Sequence, residues 1–324
     1  MSIFGKGVMA GGKRPTPLSV STNGTWSIDG GYNPVNVSVP ASAVTSGTKT
    51  ITANGDYDVT EFKKAIVMIG TYAGTTPLEG FSYVDGLPND WNTMKEIAKA
   101  ISETSDNINA NTTGSIYVNN GNMWAYKITP GNTKNVTSQI GTYTYAVMGF
   151  NNFALTNQNN YGGTHTTAGL TFGTVDCVMN DKMNSSKTNS GGWGKCLMRT
   201  STMPTLQSGM PDTLAQVKVP YVDYNNQSTI LYSDDYMFLP AEKEVFGIRK
   251  WSPTAEEGAL TQFAYYKNGG SKIKNFSGSK SVWWLRSVYY GANTFFCQVD
   301  STGSGVSNAS SASISRGVAP CFCV

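Results

Sequence analysis

Charged side chains are scarce in this sequence. They make up 14% of its 324 residues, against about 25% in an ordinary globular domain. The net charge is +3, and the Lys and Arg residues are scattered along the chain. A nucleic-acid-binding surface needs a concentrated basic patch. The composition therefore argues against nucleic acid as a partner.

Long hydrophobic runs are also missing. The longest plain apolar run, residues 65–69, is far shorter than the roughly 20 residues of a membrane-spanning helix. Residues 1–15 lack the apolar core of about 7–15 residues that a secretory signal peptide contains. We therefore expect a chain that does not insert into a membrane and is synthesised in the cytoplasm.

Histidine and cysteine are too few for common metal or catalytic sites. The one histidine, His165, lies in a polar loop without a nucleophile motif nearby, so we predict an exposed loop residue. Five cysteines without a Cys-x-x-Cys spacing favour buried free thiols over disulfides. Cys321 and Cys323 with one histidine cannot complete a usual zinc ligand set. The sequence predicts neither a metal nor a cofactor.

No pair of carboxylates stands out as catalytic. Glycoside hydrolysis needs two carboxyl groups about 5–10 Å apart across a cleft. We interpret the adjacent acids at 234–235 and 256–257 as solvated turn charges. No catalytic residue is assigned from the sequence.

Two further acids are expected to have structural roles. A short helix is predicted to begin after Pro240. Glu242 and Glu244 lie in its first turn, where they either stabilise the helix N-terminus or pair with an arginine. The candidate arginines, Arg286 and Arg316, are interpreted as buried clamps beside apolar strands.

Glycine and small polar residues take the place of the missing charges. The chain contains 35 Gly, together with many Asn, Ser and Thr, which favours short strands and turns. Beyond Thr113, short strands and long loops alternate with two short helices, one near Trp193 and one after Pro240. This pattern predicts an α+β domain.

The N-terminal part contains an internal repeat. The pattern Asn-Gly-x-aromatic-x-aliphatic at 23–28 recurs at 54–59, and alternating strand patterns follow at 35–39 and 65–69. Asn-Gly supplies the backbone conformation of a tight hairpin turn. Two small β units are therefore predicted. Units this small either pack on each other or oligomerise, and the alternative is that they form a plain spacer.

An amphipathic helix is predicted between residues 88 and 105. Asn89 or Asp90 is placed to cap its N-terminus. We favour packing of its apolar face on the chain's own domain over packing along a three-fold axis. The apolar residues on that face are Trp91, Met94, Ile97, Ala98 and Ile101.

The C-terminal region consists of a polar tract between two predicted strands, Val282–Leu285 and Val318–Val324. Its hydroxyl, amide and phenol groups resemble the contact chemistry of antibody-type surfaces. Ten residues of the tract are candidate ligand contacts: Tyr289, Tyr290, Asn293, Thr294, Gln298, Asp300, Ser304, Ser307, Asn308 and Ser310.

Strand alternation orients part of this tract. Cys297 and Val299 should be buried, which would turn Gln298 and Asp300 outward. Aromatic residues usually contribute most of an interface's binding energy. We therefore expect the two adjacent tyrosines of the tract to be its main contacts.

Ordered motifs over about residues 143–324 resemble phage and prophage proteins with a C-type-lectin-like fold, a group that includes variable proteins of diversity-generating retroelements. Asn152 and Phe153 stand where these proteins usually have His-Asp. The motifs are Val-Met-Gly-Phe-Asn at 147–151, Ala-Gly-Leu-Thr-Phe-Gly at 168–173, Gly-Gly-Trp at 191–193, Phe-Leu-Pro-Ala-Glu at 238–242, Trp-Trp-Leu-Arg-Ser at 283–287, Phe-Cys-x-Val at 296–299 and Gly-Val-Ala-Pro-x-Phe at 317–322.

The resemblance implies a non-enzymatic receptor-binding protein in the virion tail that binds a host-surface protein or glycan. The repeat resembles modules of phage tail and baseplate proteins, which implies contacts with other tail proteins through the N-terminal region and a homotrimer. The Glu-Pro-Asn, Gln-Pro-Asp and Trp-Asn-Asp motifs of calcium-dependent lectins are absent. The alternatives are a tail-associated glycan hydrolase and a purely structural tail component.

The expected organisation has four parts. They are a flexible arm (1–17), two tandem β repeats for virion attachment and oligomerisation (18–72), a linker with the amphipathic helix (73–112) and a C-type-lectin-like ligand-binding domain (113–324).

Overall fold

The fold is described from a computed structural model. The chain divides into two compact units, one of residues 1–85 and 116–127 and one of residues 86–115 and 128–324. No helix in the described ranges is both long and apolar enough to cross a membrane. The described residues are 19–20, 25–28, 35–38, 52–53, 71–78, 81–120, 124–157, 161, 165–305 and 309–324.

The first unit contains two four-stranded sheets. The order of one is β1-β2-β3-β4, with antiparallel neighbours, and the order of the other is β5-β7-β8-β6. The strand predicted at 35–39 is confirmed, whereas the Asn-Gly turns and the strand predicted at 65–69 lie outside the described residues. The strands are β1 (Ser19–Val20), β2 (Thr25–Ile28), β3 (Val35–Ser38), β4 (Thr52–Ala53), β5 (Thr71–Gly74), β6 (Val84–Asp85), β7 (Ile116–Asn120) and β8 (Trp124–Ile128).

The second unit is a mixed α+β fold, which confirms the predicted class. The two short helices expected near Trp193 and after Pro240 are both present, and Gly247, with φ +77°, ends the latter. The helices are α1 (Trp91–Glu103), α2 (Gly192–Lys195), a π-helix (Met198–Thr202), α3 (Met203–Gln207), α4 (Glu242–Phe246), α5 (Glu256–Ala259) and α6 (Ala264–Lys267).

Two five-stranded sheets form the framework of this unit, in the orders β15-β22-β11-β10-β9 and β12-β21-β18-β19-β20. Two hairpins, β13-β14 and β16-β17, accompany them. The strands are β9 (Thr133–Ser138), β10 (Gly141–Ala154), β11 (Thr167–Thr174), β12 (Met179–Asp181), β13 (Val217–Asp223), β14 (Asn226–Asp235), β15 (Met237–Phe238), β16 (Lys274–Phe276), β17 (Ser279–Ser281), β18 (Trp283–Val288), β19 (Phe295–Val299), β20 (Ala309–Ser311), β21 (Arg316–Val318) and β22 (Cys321–Cys323).

Helix α1 packs on the sheet of its own chain, as its apolar face predicts. It begins at Trp91 because the Asp90 carboxylate accepts hydrogen bonds from the Thr93 backbone N–H at 2.7 Å and from the Thr93 hydroxyl at 2.9 Å. Gly169 on β11 lets the helix approach closely, since a Cβ there would collide with the Ala98 carbonyl. The helix is therefore an integral part of the second unit.

The C-terminal segment connects the two large sheets. It was predicted as one strand over 318–324, but it forms β21 in one sheet and β22 in the other. Pro320, which lies between them, has no N–H for a ladder, and its carbonyl accepts a bond from Thr174 N at 3.1 Å. Strand β22 lies between β15 and β11, as expected for a strand inside the sheet.

The five cysteines are free and buried, which confirms the prediction. Burial raises the pKa of the Cys177 thiol to about 12 and has the same effect on Cys196. A thiol with so high a pKa stays protonated at neutral pH, so these residues pack as small apolar side chains.

Replacement of Phe322 by alanine should lower the free energy of unfolding by about 3–5 kcal/mol, because it leaves a cavity in the core. The ring is fully buried, stacks on Phe172 at 5.1 Å and meets the edge of Tyr145 at 5.0 Å. Chemical denaturation of Phe322→Ala measures the loss. Tyr232→Ala, which removes a 61% exposed ring, is the control, and an unchanged unfolding midpoint for Phe322→Ala would show that β22 is peripheral.

Candidate ligand-binding site

A buried ion pair lies on β18, the strand that leads into the polar tract. Arg286 on β18 forms a bidentate pair with Glu244 of α4, with N–O distances of 2.6 and 2.5 Å. The same guanidinium donates to the carbonyls of Leu239 at 2.8 Å and Pro220 at 2.9 Å. This confirms the predicted clamp. It joins β18, α4 and β13 at one point.

A second buried carboxylate, Glu242, is hydrogen-bonded to the backbone of a loop and does not pair with an arginine. It accepts hydrogen bonds from the backbone N–H groups of Lys250 at 3.1 Å, Trp251 at 3.0 Å and Ser252 at 2.7 Å. Its own N–H donates to the Ser287 hydroxyl at 2.9 Å. These bonds fix the backbone on either side of the Trp251 ring.

Four rings form an aromatic patch at this end of the unit: Trp251, Tyr289, Tyr290 and Phe295. The ring of Tyr289 lies 6.0 Å from Trp251, 5.1 Å from Tyr290 and 6.2 Å from Phe295. Tyr290 N donates to the Trp251 carbonyl at 2.9 Å, and Gln227 Nε2 donates to the Tyr290 carbonyl at 3.0 Å. Tyr290 is 44% exposed, so the patch presents an aromatic face to solvent.

The loop between β18 and β19 carries Asn293 and Thr294 beside the patch. Asn293 is exposed and Thr294 is half-buried. The loop is held from below by Asn189, a buried residue that sequence reasoning missed, which donates to the carbonyls of Ala292 at 3.0 Å and Phe295 at 2.7 Å. Of the tract residues, Tyr289 and Tyr290 therefore belong to the aromatic patch, and Asn293 and Thr294 lie on the loop that follows it.

The prediction that Gln298 faces outward is wrong, and Ser310 is not a surface contact either. They are 8% and 7% exposed. Strand β19 lies between β18 and β20, and Arg316 reaches across to bond Gln298 Oε1 and Ser310 Oγ, each at 3.3 Å. Arg316 was predicted to be a buried clamp, but it is half-buried and does not pair with Glu242 or Glu244 of α4. Gln298, Ser310 and Arg316 form an internal polar network.

Asp300 forms a turn at the end of β19. Its carboxylate accepts bonds from Thr302 N and the Thr302 hydroxyl, both at 2.7 Å, and from Ser304 N at 3.0 Å. Asp300 and Ser304 are half-buried. The remaining predicted contacts, Ser307 and Asn308, lie outside the described residues.

The prediction that the adjacent acids at 234–235 and 256–257 are solvated is wrong for one acid of each pair. Glu256 is fully buried while Glu257 is exposed. Asp235 is also buried, where it accepts bonds from Arg199 Nε at 2.6 Å and Trp193 Nε1 at 2.8 Å, while Asp234 is exposed. The cause is local geometry, because neighbouring side chains on a strand or short helix point in different directions.

His165 is buried, so the prediction of an exposed histidine is wrong. Its ring packs against the edge of Tyr161 at 5.3 Å, and its Nε2 lies 3.7 Å from Glu103 Oε1. Across the described ranges, no three His, Cys, Asp or Glu side chains are grouped so that they could hold a metal ion.

Comparison with known proteins gives one match. Residues 169–324 match a family described as a domain of unknown function, DUF6273. This segment runs from β11 to the C-terminus and includes the aromatic patch and the acids beneath it. No curated protein and no solved structure matches the chain.

The stability of the protein should fall as pH rises through the range in which Glu256 ionises. Burial raises the pKa of Glu256 from an ordinary 4.5 to about 7, although Ser287 donates to it at 2.8 Å. Between these values the folded state binds more protons than the unfolded state, so the free energy of unfolding decreases by about 3 kcal/mol as pH rises.

Glu256→Gln should remove this decline. We expect the stability of the variant relative to the parent to increase by about 3 kcal/mol between pH 4 and pH 8, as measured by urea unfolding across that range. Glu257→Gln, which changes the exposed neighbour, should keep the parent's pH dependence. Parallel profiles for the parent and Glu256→Gln would contradict the assignment.

Proposed function

We propose that this chain is a receptor-binding protein of a phage or prophage tail. In this proposal its C-terminal unit has a C-type-lectin-like fold and binds a host-surface protein or glycan. The observation that carries the proposal is the aromatic patch, in which Tyr290 is exposed and the other three rings are half-buried. Glu242 fixes the backbone of Trp251, and Asn189 fixes the loop that follows Tyr290.

The lectin-like fold is supported by the arrangement of the second unit. A 13-residue helix packs on a five-stranded sheet, and the C-terminal strand pairs inside that sheet. The polar tract that follows β18 is carried by the other sheet. A rigid framework that displays long loops suits a surface whose sequence changes while its fold stays the same.

The chemistry of the patch suits recognition of another surface. Tyrosine and tryptophan provide a large contact area and lose little conformational entropy, because each has two side-chain torsions. Asn293 beside them adds an exposed amide for hydrogen bonds. The proposed contacts are therefore Trp251, Tyr289, Tyr290, Asn293 and Thr294.

We also propose that the tract is diversified by a retroelement. The DNA beside the gene tests this directly. It should contain a near-copy of the codons for residues 287–313 that differs at adenines, followed by a reverse transcriptase gene. Genomes that carry this gene without such a copy would remove this part of the proposal.

The Tyr290→Ala variant should adsorb to host cells at least tenfold more weakly than the parent, while its melting temperature stays within about 2 °C, because an exposed ring contributes much to binding and little to the fold. Labelled full-length protein incubated with cells of the infected bacterium measures adsorption, and calorimetry measures stability. Tyr232→Ala, another exposed tyrosine, should adsorb normally. Unchanged adsorption of Tyr290→Ala would argue against the patch.

We propose that the virion form is a homotrimer held by the N-terminal region, through which it also contacts other tail proteins. Three linked sites raise avidity by about 10²–10⁴ without new contacts, so each site can be weak. Light scattering of the full chain at micromolar concentration should give three times the 34.8 kDa of one chain. A monomer mass at that concentration would contradict this.

A further inference from the structure

A cleft lies next to the aromatic patch. Its volume is about 450 Å³, which falls within the range of about 300–1,000 Å³ for small-molecule sites. Trp251 borders it, because its indole N–H donates to the Gly305 carbonyl at 2.5 Å. The cleft is lined by Glu242, Phe246, Ile248, Lys250, Lys272 and the turn 302–305.

The accessible charge in the cleft is positive. Lys272 is half-buried, with its ammonium 5.7 Å from the Tyr266 ring and 6.0 Å from the Phe246 ring, and the Lys250 ammonium lies 5.2 Å from the Trp251 ring. Within the described part of the chain, neither ammonium lies within 4.0 Å of a carboxylate oxygen. A ring holds a cation in place but leaves its charge available to an anion.

Glu242, the one acid among the lining residues, offsets only one of the two positive charges. It is buried, and its oxygens accept three backbone N–H bonds from the loop at 250–252. Hydrogen bonds of this kind stabilise the carboxylate charge where it lies. A ligand in the cleft therefore meets two ammonium groups and a carboxylate that is already paired.

The remaining walls suit a sugar ring better than a small inorganic anion. Phe246 lies against the turn so closely that a Cβ on Gly305 would come within 3.1 Å of its ring. Ile248 adds an apolar side chain that is 63% exposed, and Thr302 adds an exposed hydroxyl. The Thr302 hydroxyl already donates to Asp300, so it can accept from a sugar hydroxyl but has no hydrogen left for a phosphate oxygen. A phosphate ion would therefore rely on the ammonium groups. A sugar acid would also use the apolar wall and the hydroxyl.

We propose that this cleft binds a carboxylate-bearing saccharide, with the carboxylate between Lys250 and Lys272 and the sugar ring against Phe246. The inference rests on the proposed function for the source of the saccharide, a host surface. It adds a ligand class and a second contact region beside the aromatic patch.

The test uses the full chain and ligand-observed NMR titration. The probes are the methyl glycosides of glucuronic acid, galacturonic acid and N-acetylneuraminic acid, with methyl glucoside, methyl galactoside and inorganic phosphate for comparison. At least one acidic glycoside should bind tenfold or more tightly than every neutral one and than phosphate. Its affinity should fall with added salt, as expected for an ionic contact.

The lysine variants locate the binding. Lys272→Gln and Lys250→Gln should each weaken binding of that glycoside at least fivefold. Lys280→Gln, which removes an exposed lysine outside the cleft, should change it less than twofold. Failure of all three acidic probes, equal binding of neutral and acidic sugars, equal binding of phosphate, or no effect of Lys272→Gln would each overturn the proposal.

Tyr290→Ala separates this inference from the proposed function. It should retain glycoside binding within twofold, because Tyr290 does not line the cleft. Normal host adsorption by Tyr290→Ala together with intact glycoside binding would contradict the role of the patch and leave the cleft in place. Loss of adsorption by Tyr290→Ala, together with no glycoside binding by the parent protein, would support the patch and contradict the cleft.

Discussion

The buried pair of Arg286 and Glu244 is the contact on which the end of the second unit that carries the aromatic patch depends. Burial of two charges costs several kcal/mol, and removal of one partner typically costs 3–5 kcal/mol, because the other charge is left without compensation. Here the guanidinium also satisfies the carbonyls of Leu239 and Pro220. One side chain thus fixes the positions of β18, α4 and β13, and the loops that leave these elements inherit those positions.

Rigidity at this base has a direct consequence for binding. A loop that is ordered before it meets a ligand does not lose that entropy on association, so more of the contact energy becomes affinity. Glu242 orders the backbone of Trp251, and Asn189 orders the loop that follows Tyr290. The aromatic patch therefore combines a fixed backbone with partly exposed rings. In the proposed function, its selectivity would change with the side chains while the backbone stays in place.

The features that depend on residues close together in the sequence were predicted correctly. The cap and apolar spacing of α1, the short helix after Pro240 and the burial of the cysteines all follow from nearby residues. Gln298 was misplaced because strand alternation assumes one open face, and Arg316 from a distant strand covers that face. Trp251 was missed for a similar reason. Its anchor, Glu242, lies nine residues earlier, and no sequence pattern links a helical acid to the N–H groups of a later loop.

The three buried acids of this region show three ways to solve one desolvation problem. Glu244 is paired with an arginine, Glu242 accepts hydrogen bonds from backbone N–H groups, and Glu256, whose pKa burial raises to about 7, keeps its proton at pH values below that. Ser287 connects two of these acids, because its hydroxyl accepts from Glu242 N and donates to Glu256. An ionised Glu256 would place an uncompensated charge near the Glu242 carboxylate in a medium of low dielectric constant. A sequence poor in charge can therefore still support its aromatic patch with charged residues, provided that each is compensated separately.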